Sequence, residues 1–182
     1  MKKRVAMVIA PHADDETLGC GGTIGVLKDQ GFKVVVCLAC GHSRDNRHIF
    51  GTDLLVTVLN EFRTAMKVLD VDEYECLGLP AGNLTACEVH EVNSRIADVL
   101  RRTAPQIVFV PSKTDLHHDH NIVTYAAIVA LRPYLKDAIG VEAVYEYEVL
   151  SETNVLPSYQ ESFKPDTYID ISSKLSDKLD AC

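Results

Sequence analysis

Long hydrophobic runs are missing from this chain. No apolar stretch approaches the roughly 20 residues that a membrane-spanning helix requires. Positive charge is scarce too. Eighteen Lys and Arg stand against 26 Asp and Glu, for a net charge of −8. That balance excludes nucleic acid or an anionic membrane as a main partner, because both demand a basic face. It leaves room for a bound cation. No basic, apolar leader precedes Val5, so a secretory signal is not expected. Internal repeats, low-complexity tracts and linkers are also missing. A nucleotide-binding loop would need GxGxxG or a Walker-type lysine, and neither is present. The glycines of Gly19-Cys20-Gly21-Gly22 therefore read better as a means of packing a helix tightly on a sheet. Of the six cysteines, Cys37 and Cys40 form a CxxC, but no second CxxC accompanies it. Cys37 lies inside the apolar run Val34 to Ala39, so buried, reduced thiols in a cytoplasmic compartment are expected.

What is present fits one domain of 182 residues, with 47% hydrophobic and 24% charged residues. Apolar, β-rich runs recur at Val5–Ile9, Lys33–Leu38, Tyr74–Leu77, Ile107–Val110, Ala143–Tyr147 and Tyr168–Ile171. Helix-like segments alternate with them: Gly19–Gln30, Asp53–Leu69, Glu88–Arg102, His120–Leu135 and a last one from Ser172. Near-continuous apolar strands alternating with helices predict an α/β fold with a mostly parallel sheet covered on both faces. Gly31 and Asp70 suit helix ends, and Ser172 suits a cap on the last helix.

Two dense polar clusters follow two of these strands. His12, Asp14, Asp15 and Glu16 come directly after Val5–Ala10, and His117-His118-Asp119-His120 follows Ile107–Val110. Ligands of parallel sheets bind beyond the carboxyl ends of strands, so both clusters belong to one site. Zinc takes nitrogen and oxygen ligands, and its catalytic sites commonly keep three protein ligands and a water. His12, Asp15 and His120 supply such a set. Asp14 is then free to act as a general base. His117, as an imidazolium, stabilises an oxyanion or protonates a leaving amine. Asp119 orients His117, and Asp115 stands behind them as further support. Taken singly, each residue has a plainer reading: the acids favour a helix N-terminus, and Asp119 caps the helix from His120. His118, His42, His48 and His90 read as surface residues, with His42 a candidate for the substrate mouth.

Pro11-His12-Ala13-Asp14-Asp15-Glu16, with Thr17 to Thr23 after it, resembles the opening motif of the LmbE-like, or PIG-L, family of zinc-dependent N-deacetylases, usually Ala-His-Pro-Asp-Asp-Glu. Asp115-Leu116-His117-His118-Asp119-His120 resembles the family's second motif, Asp-x-His-x-Asp-His. Glu61 to Ala65, Leu77 to Pro80 and Pro165 to Ser172 resemble later segments. The resemblance implies a Rossmann-like three-layer sandwich and one deacetylase domain over 1–182. It implies Zn²⁺ or another divalent ion on His12, Asp15 and His120, with Asp14 as base and His117 as oxyanion stabiliser. The implied substrate is a small molecule or glycoconjugate carrying N-acetylglucosamine, from which acetate is removed. Three departures from the family pattern stand out. Ala81-Gly82 replaces the Asp-Gly whose aspartate contacts sugar hydroxyls, and Gly41-His42 replaces Gly-Glu. The chain also continues less far past Ser172, which suits a lid missing here or supplied by another subunit of a homo-oligomer. Removal of an acyl group from a non-sugar amide, and a non-catalytic metal- or sugar-binding role, are the competing expectations.

Overall fold

The computed structural model describes residues 3–41, 52–135, 140–156, 158–159 and 161–182, with residues 52–55 described by backbone only. The chain alternates strand and helix: β1 (Val5–Ala10), α1 (Asp15–Asp29), β2 (Lys33–Gly41), α2 (Thr52–Val68), β3 (Glu73–Pro80), α3 (Val89–Thr103), β4 (Ile107–Pro111), α4 (His118–Ala130) and β5 (Ala143–Tyr147). After an irregular stretch comes α5 (Leu175–Ala181). The five strands pair in the order β3-β2-β1-β4-β5, every pair parallel.

Strand periodicity splits the core into two layers. Val5, Met7, Ile9, Val35, Cys37 and Ala39 point to one face and pack with Val92, Ile96, Val123 and Ala127 of α3 and α4. Ala6, Val8, Val34, Val36 and Leu38 point to the other and pack with Ile24, Phe62 and Met66 of α1 and α2. β1 is buried at every position, which is why it reads as an unbroken apolar run. Each large side chain so buried contributes about 1.5–3 kcal/mol. This is the expected three-layer α/β sandwich, with a sheet that is wholly parallel among the described residues.

Strand order creates the crevice. The chain leaves β1 toward β2 and β3 on one side, then returns through α3 to β4 and β5 on the other. β1 and β4 are therefore neighbours whose following segments diverge, and ligands of such sheets sit at that point. His12 follows β1 and Asp115 follows β4.

Two local expectations change. Tyr168–Ile171 is not a strand but part of an extended, unpaired stretch in which Tyr168 is exposed. Ser172 does not cap a helix. It opens a 3₁₀ turn over Ser172–Lys174, and its backbone N–H and hydroxyl both donate to Asp170 Oδ1, at 2.9 and 2.6 Å. Aspartate competes well for local N–H groups, so Ser172 is held in a local turn by Asp170 instead of capping α5. The glycines of α1 serve close packing, mainly against later segments. A Cβ on Gly19 would lie 2.3 Å from the Tyr147 ring, and one on Gly22 2.6 Å from Ile171. Tyr147 has little room to yield, because its hydroxyl donates to Ile9 O at 2.9 Å in the core.

Candidate metal centre

The turn after β1 is tight. The backbone N–H of His12 donates to Asp15 Oδ2 at 2.8 Å. The amides of Thr17 and Leu18 donate to Asp14 O, starting α1. To close this turn, Asp14 adopts φ 132° and ψ −29°, a backbone region that non-glycine residues rarely enter. Such strain persists where the surroundings over-determine it, commonly at functional sites. The backbone N–H of Asp14 donates to Glu16 Oε2 at 3.3 Å, and the Thr17 hydroxyl donates to Glu16 Oε1 at 2.8 Å. Glu16 is fully buried, and burial pushes its carboxyl up to about 7.

Three donor atoms converge between the two loops. His120 Nε2 lies 3.3 Å from His12 Nδ1 and 3.2 Å from Asp15 Oδ2. His12 Nδ1 lies 3.6 Å from that same oxygen. Donors about 2.0–2.2 Å from one tetrahedral zinc are separated by about 3.3–3.6 Å. The three side chains thus match the spacing of one coordination sphere.

Each imidazole is held from behind. His12 Nε2 faces Asp119 Oδ2 at 3.0 Å, and His120 Nδ1 faces Asp115 Oδ2 at 2.9 Å. Carboxylates behind ligating histidines fix the ring and its tautomer. Asp115 in turn accepts from the Thr153 hydroxyl. Asp119 accepts the backbone N–H groups of Gly82 at 2.6 Å and Leu84 at 3.2 Å.

The surrounding carboxylates favour positive charge on both rings. Burial works against charge on His12, but hydrogen bonds to Asp119 and Asp15 outweigh it and push the ring up to about 12. His120 behaves alike, raised to about 9 through Asp115 and Asp15 against the cost of burial. Burial opposes charge on Asp15 as well, yet the two imidazoles hold it down at about 2. A cation must displace the protons on the ligating nitrogens. The sign follows: His120 carries its extra proton below about 9, so proton competition weakens as pH rises from the ordinary imidazole range toward that value. Zinc affinity measured by calorimetry is expected to be higher at pH 8 than at pH 6.5, with proton uptake by the buffer.

The remaining predicted residues sit around this cluster. Asp14 faces solvent on the wall of a groove of about 810 Å³ whose other wall includes Asn60 and Glu61. Crowding by the protein and the charge of Asp15 raise its carboxyl to about 6. His117 lines a separate cleft of about 350 Å³ with Gly82, Thr85 and Glu152. Its ring centroid is 4.6 Å from that of His12 and 5.3 Å from that of His120. Two expected details are altered. The cap of α4 is His117, whose Nδ1 accepts the Asp119 N–H at 3.1 Å. The Asp119 carboxylate therefore supports His12, and only its amide orients His117. With Nδ1 accepting, His117 carries its proton on Nε2, and burial and the His12 charge lower its affinity for a second. This geometry fits a neutral His117 that donates from Nε2.

His118 and His90 are exposed, as expected. His42 and His48 lie outside the described residues. Sequence reasoning missed Cys40 as a neighbour of the cluster, Thr153 behind Asp115 and the amides of residues 82 and 84. Cys40 Sγ is 3.9 Å from Asp119 Oδ2. The signal for Cys40 was its place at the end of β2, which became meaningful only once β2 paired beside β1. Among the described residues, His12, His117 and His120 form one set of potential metal donors, and His12, Cys40 and Asp119 form a second.

The family profile described as PIG-L, GlcNAc-PI de-N-acetylase, matches residues 7–131. The diacetylchitobiose deacetylase of Thermococcus kodakarensis is 26% identical over 184 residues, covering 96% of this chain and 66% of that one. The 4-oxalmesaconate hydratase of Pseudomonas putida is 25% identical over 193 residues, covering 94% and 69%. The crystal structure of the conserved protein TT1542 from Thermus thermophilus superposes with a TM-score of 0.76 at 27% identity, covering 97% of this chain and 76% of that one. The chain thus spans about two thirds to three quarters of the length of these relatives.

Proposed function

Because the chain belongs to the PIG-L family, we propose that it is a metal-dependent amidohydrolase that removes acetate from an N-acetylglucosamine-type conjugate. The single observation that carries this reading is the convergence of His12 Nδ1, Asp15 Oδ2 and His120 Nε2 within 3.2–3.6 Å of one another. The two imidazoles and one carboxylate would hold Zn²⁺, which acts as a Lewis acid and brings water into its reactive range when bound.

The residues of the chain supply the rest. Asp14, raised to about 6, accepts a proton from the attacking water, since a base works best near the operating pH. Its strained backbone holds the carboxylate at the rim. His117 donates its Nε2–H to the oxyanion as the acetyl carbon becomes tetrahedral. Its Nδ1 is committed to the Asp119 amide, so it has no second proton for the leaving nitrogen. Asp14 returns the proton it took, and the amine departs. The cleft beside His117 receives the acetamide end of the substrate.

The test is acetate release from diacetylchitobiose and related N-acetylglucosamine conjugates by zinc-loaded protein. Turnover that a chelator abolishes and zinc restores is expected. Zinc bound by the wild-type protein with no acetate released from any of these substrates overturns the reading.

A second reading rests on Ala81. It is buried and offers no carboxylate to sugar hydroxyls. A non-sugar substrate, either an amide or the unsaturated acid of a hydratase, would not need one. Turnover of such substrates without acetate release from sugars favours that reading.

A further inference from the structure

The buried thiol of Cys40, which the deacetylation chemistry does not use, belongs to a second donor set. β2 shifts register against β3 between Leu38 and Cys40, and the Cys40 amide donates to Pro11 O at 2.9 Å. That bond ties the end of β2 to the loop that carries His12. The thiol is 3% exposed. Its sulfur lies 3.9 Å from Asp119 Oδ2, which is itself 3.0 Å from His12 Nε2. Sulfur, oxygen and nitrogen donors about 2.3, 2.0 and 2.1 Å from one tetrahedral ion are separated by about 3.3–3.6 Å. The observed distances bracket that range.

We propose that Cys40 Sγ, Asp119 Oδ2 and His12 Nε2 form an alternative site for a thiophilic divalent cation, and that filling it excludes the ion from the His12, Asp15 and His120 cluster. The exclusion comes from the single imidazole that the two sites share. In the productive arrangement His12 keeps its proton on Nε2, donated to Asp119, and offers Nδ1. In the alternative arrangement it offers Nε2 and keeps its proton on Nδ1, facing Asp15. A neutral ring cannot serve both ions. The thiol loses its proton to solvent as the metal–sulfur bond forms, which is the ordinary course for a coordinating cysteine. Thiolate selects soft ions, whereas the productive set contains no sulfur. A soft cation therefore inhibits by removing His12 from its working partners, without competing for Asp15 or His120. The exclusion part rests on the ligand set given under the proposed function, and the thiolate part does not.

The probe is cadmium, titrated into metal-free full-length protein, with the ultraviolet thiolate-to-cadmium charge-transfer band as the readout. Wild-type protein is expected to show a band component that Cys40→Ser and Cys40→Ala both lose, with cadmium binding weakened by more than about tenfold. His120→Ala is expected to keep this component, because the alternative site does not use that ring. Wild-type protein preloaded with zinc is expected to develop it only as zinc is released. Equal bands in wild type and both Cys40 variants overturn the site. A full band alongside retained zinc overturns the exclusion. Zinc binding that survives in a Cys40→Ser, His120→Ala double variant counts against the productive ligand set, yet leaves the thiolate site standing on its own band.

Discussion

Asp14→Asn is expected to lower kcat by roughly 10²–10⁴-fold, the usual worth of a positioned acid–base group. Zinc content should be unchanged. Asparagine has nearly the shape of aspartate, so it meets the same backbone demand at this position. The turn at φ 132° should therefore survive, and the loss should reflect proton transfer rather than misfolding. Asp14 sits outside the 3.2–3.6 Å triangle of donors, so its neutralisation leaves metal retention to His12, Asp15 and His120. Acetate release and metal content measured on one preparation separate the two effects. A variant with near wild-type kcat would remove the base. A variant that lost zinc in step with activity would make Asp14 a ligand instead.

In a Cys40→Ser background, His120→Ala is expected to abolish stoichiometric zinc binding and activity together. This ring is 1% exposed and supplies the one atom that the proposed set draws from the second loop. Its removal leaves two donors of that set on one turn, too few to hold an ion there. It also leaves Asp115 buried without its imidazole partner, so the variant should unfold at lower denaturant concentration. Asp115→Asn tests the same link more gently. It keeps the volume but weakens the hold on Nδ1, and zinc affinity should fall by about 10–100-fold. Equilibrium dialysis against a chromophoric chelator measures both. Tight zinc binding by the double variant would show that the ion uses other donors.

The layers of the fold were legible because β1 and β2 are apolar at consecutive positions, as strands covered on both faces must be. The two halves of the site were legible for a related reason. His12 and Asp15 are three residues apart at a strand-to-helix turn, and Asp115 to His120 fall in one loop, so local spacing alone groups them. What lay hidden depended on contacts across the sheet. Nothing in the spacing of Asp119 says whether its carboxylate turns to His117 or to His12. That is settled by His117 taking the cap of α4 with its own Nδ1, which frees the carboxylate to reach across. Tyr168–Ile171 misled for the opposite reason. Its residues have strand propensity, but propensity describes fitness for a pleated, half-buried surface, and this segment pairs with no neighbour among the described residues.

The carboxylate of Asp119 is bonded at once to the ring of His12 and to the amides of Gly82 and Leu84. The lip of the cleft and the ring proposed to grip the ion are therefore one mechanical unit. Gly82 holds φ +71°, so most replacements there would bend the lip and drag Asp119 with it. Remodelling this rim to admit a new acceptor would loosen the ion as a side effect.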